Sequence, residues 1–241
     1  MPHAFSKALV GIGDLALEAW YLLAGGHSID STDSVFVLSV NGIIPVVRIK
    51  KYNAGKPSDL LFLTKPLRSG ILSTARKRGL LQSEHNEPLL KNMGTLNSFG
   101  EQVGTMSGVH ALTDVTGFGL LGHVSEIANG SGCGVELYYD RIPQLPGVAA
   151  YIQQRIFPDS TTRNWSRYQS DIKFEKGVPV AEAFTLLPDP QTNGGLLIAV
   201  SDDKKDELIG KLKEEGLTDH LQPIGRLTEL GEKRIVVRPS A

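Results

Sequence analysis

One stretch limits the possible folds more than any other: Thr113-Asp114-Val115-Thr116-Gly117-Phe118-Gly119-Leu120-Leu121-Gly122-His123. A carboxylate and two hydroxyls stand just ahead of three glycines, and an apolar helical pattern follows at once. The chain must enter a tight turn here and leave it as a helix. Glycine lets a backbone approach a ligand with no Cβ in the way. A helix N-terminus beyond the turn offers unpaired N–H groups and a positive dipole end to an anion. An acidic side chain beside such a turn makes electrostatic sense chiefly if a cation sits between it and the anion. The stretch therefore describes a place for a metal–phosphate ligand. Asp114 is the candidate metal-binding carboxylate, and Thr113, Thr116, Gly117 and Gly119 shape the turn around it.

Three rival readings use the same residues. Gly117-x-Gly119-x-x-Gly122 matches the dinucleotide fingerprint, and Asp140 follows a strand at 135–139, roughly where a ribose-binding acid would stand. That reading needs a continuous apolar strand before Gly117, and His110 to Thr116 is half polar. A nicotinamide-dependent enzyme is thus the weaker alternative. No Gly-Lys-Ser/Thr occurs, which excludes a P-loop. The plainest rival is a tight turn in which Asp114 caps nearby backbone N–H groups. Two further polar-glycine junctions favour a phosphate-rich ligand. One is Asp189-Pro190-Gln191-Thr192-Asn193-Gly194-Gly195, just before an apolar strand; the other is Gly25-Gly26-His27-Ser28-Ile29-Asp30. A hairpin or bulge would also explain Gly194-Gly195, and a solvated imidazole would also explain His27.

The rest of the chain reads as mixed helices and strands. A helix is expected over 5–22. A hairpin of strands at 35–40 and 43–49 should follow, joined by Asn41-Gly42. Strands are expected at 60–64, 135–139, 196–200, 221–227 and 235–237. Helices are expected at 71–81, 89–103, 120–128 (stopped by Asn129-Gly130), 148–156 and from 203 to about 215, with Ser201 and Asp202 as candidate caps. Residues 157–179 read as a long polar loop. Without strict βαβ alternation the class is α+β. An apolar fraction of 41% and a charged fraction of 21% are those of a globular protein, and a formal charge of −1 leaves no electrostatic footprint for nucleic acid. No apolar run approaches the roughly 20 residues that span a bilayer, and the first residues lack the pattern of a secretory leader. The single cysteine, Cys133, fits a reducing compartment, so the cytoplasm is expected.

Thr113–His123, Asp189–Leu197, Gly25–Asp30, Leu63-Thr64-Lys65-Pro66-Leu67 and Thr95-Leu96-Asn97 together resemble, in order and spacing, the successive signatures of the selenophosphate synthetases (selenide, water dikinases). These belong to the superfamily that includes aminoimidazole ribonucleotide synthetase. The resemblance implies conversion of ATP, selenide and water to selenophosphate, AMP and phosphate with Mg2+. It implies that Asp114 binds magnesium, and that Gly25, Gly26, His27 and Ser28 contact ATP held mainly by the partner subunit of a homodimer. Asp189, Thr192, Gly194 and Gly195 would belong to the site's architecture.

The resemblance also implies an aminoimidazole ribonucleotide synthetase-like fold, with residues 1–50 as the end of an N-terminal ATP-binding and dimerisation domain and 51–241 as a complete C-terminal α/β sandwich-type domain. The family's catalytic cysteine or selenocysteine, its lysine and further aspartates precede the Gly25 region. They have no counterpart in this sequence, and Cys133 does not stand at the nucleophile position. The chain is therefore expected to be inactive alone and to need that portion in cis or from a separate N-terminal chain. The alternative is a non-catalytic nucleotide-binding or dimerisation module. Two smaller departures are Asn193, where the family has serine, and Arg68-Ser69, where glycine and threonine are more usual.

Overall fold

The computed structural model describes residues 22–32, 35 and 37–240, together with Asp14, Ala16 and Glu18, which are helical. Leu22, the last residue of the helix expected over 5–22, is not helical, and the rest of that stretch, those three residues aside, lies outside the described residues. The chain divides into two compact units, Met1–Val47 and Arg48–Ala241.

In the first unit the expected hairpin does not form among the described residues. Residues 37–45 have no regular structure, and Val46–Arg48, on into the second unit, is a single 3-10 turn. Val37, Val40, Ile43 and Ile44 are exposed. Strand-like composition marks a segment suited to pairing and half-burial, and a two-stranded ribbon without a covering layer is at best marginal.

The second unit is built on a seven-stranded mixed sheet of order β2-β5-β1-β6-β3-β7-β4. Its strands are β1 (Leu60–Leu63), β2 (Val109–Asp114), β3 (Gly134–Tyr138), β4 (Ile172–Phe174), β5 (Leu196–Val200), β6 (Gly225–Thr228) and β7 (Ile235–Arg238). β5 runs antiparallel to both β1 and β2, so those two strands end at the same edge of the sheet, where β5 begins. Side chains alternate between faces with period two. Leu61, Leu63, Leu197 and Ala199 therefore join one core, while Phe62, Ile198 and Val200 join the other. β1 and β5 are covered on both faces, which is why they read as unbroken apolar runs.

Helices α1 (Ser69–Lys77), α2 (Ser83–Gly94) and α5 (Val148–Gln153) share a satellite core around Ile71, Leu72, Leu89 and Tyr151. α4 (Gly119–Ser131) and α7 (Val180–Leu186) cover the first face of the sheet; α3 (Phe99–Thr105) and α8 (Lys205–Glu214) cover the second. The helix expected over 89–103 is two helices, broken at Thr95–Ser98. The break is occupied by contacts to other segments, described below. α4 runs through Asn129-Gly130 and stops instead at Gly132, whose left-handed φ of 68° ends it. Ser201 and Asp202 make no side-chain capping bond, and a short 3-10 turn (Asp202–Lys204) precedes α8.

The long loop expected over 157–179 contains α6 (Asp159–Tyr168), a 3-10 turn and β4. α6 escapes a hydrophobicity reading because its buried positions include Thr161 and Asn164, with only Trp165 and Tyr168 packed as apolar bodies against the core.

Candidate functional site

At the edge of the sheet where β1 and β2 end, four of the sequence motifs meet. β2 stops at Asp114, opposite Leu196. The next amide, Val115 N–H, donates to the Gly195 carbonyl at 2.9 Å, which draws the chain inward. On the other side of β5, Thr64 N–H donates to Leu196 O at 3.1 Å and the Leu196 amide donates to Thr64 Oγ1 at 2.8 Å. Gly195 abuts the Lys65 backbone, so a side chain there has no room. Asn97 Nδ2 donates to Gly194 O at 2.9 Å. Lys65 Nζ donates to the carbonyls of Thr95 (2.6 Å) and Asn193 (2.9 Å), and Asn193 Nδ2 also reaches Thr95 O. The break between α2 and α3 therefore supplies carbonyls that tie three segments together. Burial brings the Lys65 ammonium down to about 8.

The turn after Asp114 is fixed from several directions. Thr116 O accepts from Gly119 N–H (2.9 Å) and Gln191 N–H (3.0 Å); Thr116 N–H donates to His123 Nε2 at 3.1 Å. Gly117 O accepts from Asn164 Nδ2, which also donates to Pro188 O. Gly119 has φ 69°, and a Cβ there would meet the backbone of Leu187–Asp189 within 3 Å; this glycine is demanded by packing and conformation together. Gly117 differs: a Cβ on it would meet nothing within 4 Å. Asp114, Gly117 and Phe118 are exposed, and the Asp114 carboxylate has no hydrogen-bond or ion-pair partner among the described residues. The turn thus holds an unengaged carboxylate and an open glycine on a rigid base. Asp114 does not act as a cap.

Behind the turn lies a buried polar network. Asp189 is fully buried near the start of α1. Desolvation raises its carboxyl to about 7, against the opposing pull of the Gln191 hydrogen bond, the Arg68 charge and the Ile71 and Gly70 amides. Neither amide reaches hydrogen-bond geometry with Oδ1, which has no partner. Gln191 Nε2 donates to Asp189 Oδ2 at 2.9 Å, and Gln191 Oε1 accepts from the Ser69 amide and hydroxyl. Thr192 N–H in turn donates to Ser69 Oγ at 3.2 Å. Arg68 is buried with φ 90°, a backbone that glycine adopts more easily, and its guanidinium bonds Gln144 and Thr185.

Thr113, Thr116, Gly117, Gly119, Gly194 and Gly195 therefore gather around Asp114, whereas Asp189 sits behind them as support. Gly25, Gly26, His27 and Ser28 are exposed and irregular, in the first unit, and no packing among the described residues requires either glycine. Sequence reasoning assigned no role to His123, Asn164 or Gln191, whose roles depend on contacts with backbone atoms; His123 and Gln191 stood within motifs already singled out, and Asn164 did not. Cys133 is buried against the Ser131 carbonyl, and burial raises its thiol, as befits a packed residue. A cavity of about 550 Å³ at Asp140–Pro143 and Thr218–Gln222 holds none of the glycine-turn residues. No group of three His, Cys, Asp or Glu side chains able to hold a metal occurs among the described residues.

The close fit of Gly194 under Val115 O gives a direct test. Gly194→Ala is expected to cost about 1–3 kcal/mol by overpacking, read as a lower denaturant midpoint at unchanged slope. An unchanged midpoint would show that the junction yields freely.

The sheet, its helical layers and the glycine turn define a class of protein. Residues 56–238 match the family model "AIR synthase related protein, C-terminal domain", and the chain belongs to that family. Within it, the chain is similar to proteins named selenide, water dikinase. One from Photorhabdus laumondii is 41% identical over 98% of this chain and 66% of its own length. One from Yersinia pseudotuberculosis is 41% identical with the same coverage, and one from Cronobacter sakazakii is 43% identical over 87% of this chain and 59% of its own length. The chain thus spans just under two-thirds of the curated relatives it matches. Solved structures with the same fold include E. coli HypE, a hydrogenase maturation protein (TM-score 0.53, 21% identity, 80% of this chain and 50% of that one). Thiamine-monophosphate kinase from Stenotrophomonas maltophilia is another (TM-score 0.51, 16% identity, 78% and 52%). No helix among the described residues is long and apolar enough to cross a membrane.

Proposed function

We propose that the chain is the C-terminal part of a selenophosphate synthetase, serving the reaction of ATP, selenide and water to selenophosphate, AMP and phosphate. The observation that carries this reading is the exposed Asp114 carboxylate, without a partner among the described residues, on a turn fixed by hydrogen bonds with Gly195, Asn164 of α6 and Gln191. The relatives' names and identities favour this reaction over other phosphoryl transfers.

One carboxylate suits Mg2+, which keeps several waters and commonly takes one or two carboxylates plus substrate phosphates. It suits zinc poorly, since no group of three His, Cys, Asp or Glu side chains is gathered among the described residues. Asp114 would hold the ion; when bound, magnesium would neutralise and orient phosphate oxygens. The rest is work for the chain's own groups. Gly117 leaves room for a phosphate beside the carboxylate, and the Thr116, Gly117 and Gly195 peptide groups keep the carboxylate in place, so little reorganisation accompanies the reaction.

Gly25, Gly26, His27 and Ser28 would contact ATP bound mainly by the partner subunit of a homodimer in the cytoplasm. The nucleophilic cysteine or selenocysteine and its lysine are assigned to the part of the relatives' length that this chain does not span. In the test, the chain is mixed with, or fused to, the N-terminal third of the Photorhabdus relative, and selenide-dependent AMP formation is measured. Turnover should appear only in the combination. Robust turnover by the chain alone would overturn the placement of the nucleophile. A folded combination inert towards ATP and selenide would overturn the reaction itself.

A further inference from the structure

We infer that His123 is a positioning residue: its bare Nε2 holds the Thr116 amide and so fixes the turn that presents Asp114. The ring sits on the second turn of α4, is only 7% exposed, and reaches back over the start of its own helix. Nε2 lies 3.1 Å from Thr116 N and 3.2 Å from Thr116 Oγ1. Nδ1 lies 3.4 Å from Glu126 Oε2 and makes no hydrogen bond among the described residues.

These contacts select one protonation state. An amide nitrogen can only donate, so Nε2 must carry its lone pair towards Thr116. Nδ1 faces a carboxylate, so it must carry the hydrogen. The opposite tautomer would set two donors against each other at Thr116 and two acceptors against each other at Glu126. Only neutral imidazole with hydrogen on Nδ1 leaves Nε2 free to accept from the Thr116 amide, and it turns the Nδ1 hydrogen towards the Glu126 carboxylate.

The bond matters because of what else holds Thr116. Its carbonyl is taken by Gly119 and Gln191, and the following carbonyl by Asn164. With His123 on the amide, the peptide groups on both sides of Thr116 are fixed, two residues from Asp114. Without it, that amide loses its only hydrogen-bond partner among the described residues. The ring also neighbours that of Phe118, with centroids 6.3 Å apart, and the Arg167 guanidinium lies 5.8 Å from the Phe118 centroid. Packing alone could therefore be offered as the residue's purpose, and the test must separate packing from acceptance of a hydrogen bond. The consequence for metal rests on the reading of Asp114 given above. The consequence for the turn does not.

His123→Gln keeps an acceptor near the place of Nε2; His123→Leu keeps apolar bulk and removes the acceptor. Amide hydrogen exchange on the full chain should show Thr116 protected in wild type and in His123→Gln, and at least about tenfold less protected in His123→Leu. Nitrogen NMR of the wild-type imidazole should show hydrogen on Nδ1 and none on Nε2. Mn2+, added as a probe for a hard cation, should broaden Gly117 and Phe118 in wild type and His123→Gln at concentrations about tenfold lower than in His123→Leu, the size typical of losing a group that orients a ligand. Equal Thr116 protection in all three proteins, or an Nε2–H tautomer in wild type, would overturn the assignment. Should His123→Leu fail to fold, the wild-type tautomer decides it. If Asp114→Asn leaves the Mn2+ broadening intact, the metal reading falls, while exchange and tautomer still decide the role of His123.

Discussion

The stability of the wild-type chain relative to its Asp189→Asn variant should fall by about 4 kcal/mol between about pH 4 and pH 7 and stay level above. Asp189 is fully buried, and desolvation raises its carboxyl from 3.8 to about 7. Between those values the folded chain holds a proton that the unfolded chain has released. Stability changes with pH as the protons bound by the unfolded state minus those bound by the folded state, so here it declines as pH rises. At about 1.4 kcal/mol per pH unit, a rise from 3.8 to about 7 amounts to about 4 kcal/mol. The contribution is fully present below the unfolded value and gone above the folded one.

Asparagine cannot titrate, so the difference between the two proteins isolates this group from every other carboxylate. Urea unfolding of both across pH 4–8 measures it. A difference independent of pH would mean that Gln191 and the α1 amides keep the carboxylate ionised throughout. The outcome bears on the site, because Gln191 joins Asp189 to Thr116 O through its own amide.

Much of this arrangement is legible in the residues, for reasons that differ from place to place. β1 and β5 announce themselves because both faces are covered and the strands are apolar throughout. The turn after Asp114 announces itself because glycines follow a half-polar stretch just ahead of an apolar helical pattern. The motifs do not show that they meet. Asn97 with Gly194 and Lys65 with Thr95 are contacts between distant segments, made to carbonyl groups that every residue possesses. α6 stays hidden because its inner face carries Asn164 and Thr161, where an apolar period would have been expected. In the first unit the apolar run at 35–49 invites a hairpin, yet its described residues stay exposed and unpaired. Local composition expresses a preference there, and pairing requires a partner.

The glycines divide in a way that sequence cannot show. Gly119, Gly194 and Gly195 are required by neighbouring backbone, whereas Gly117 has open space above it. A reading based on glycine content alone would have given all four the same purpose. Only Gly117 leaves room for a ligand beside Asp114.

Asp114 stands at the centre of the proposed site, and its loss should have the largest effect on activity. Metal bridging of phosphoryl oxygens contributes several kcal/mol of transition-state charge stabilisation, so Asp114→Asn should lower turnover by on the order of 10³-fold. Its side chain is exposed and has no partner among the described residues, so the substitution should leave stability within about 0.5 kcal/mol of wild type. Raising Mg2+ should restore part of the loss if the variant merely binds the ion more weakly. The decisive measurement is selenide-dependent AMP formation by the enzyme completed with the N-terminal third of a relative, comparing wild type with Asp114→Asn across a Mg2+ titration, with thermal unfolding of both in parallel. A loss on the order of 10³-fold at unchanged unfolding temperature is the predicted result; wild-type turnover by a folded Asp114→Asn protein would contradict it.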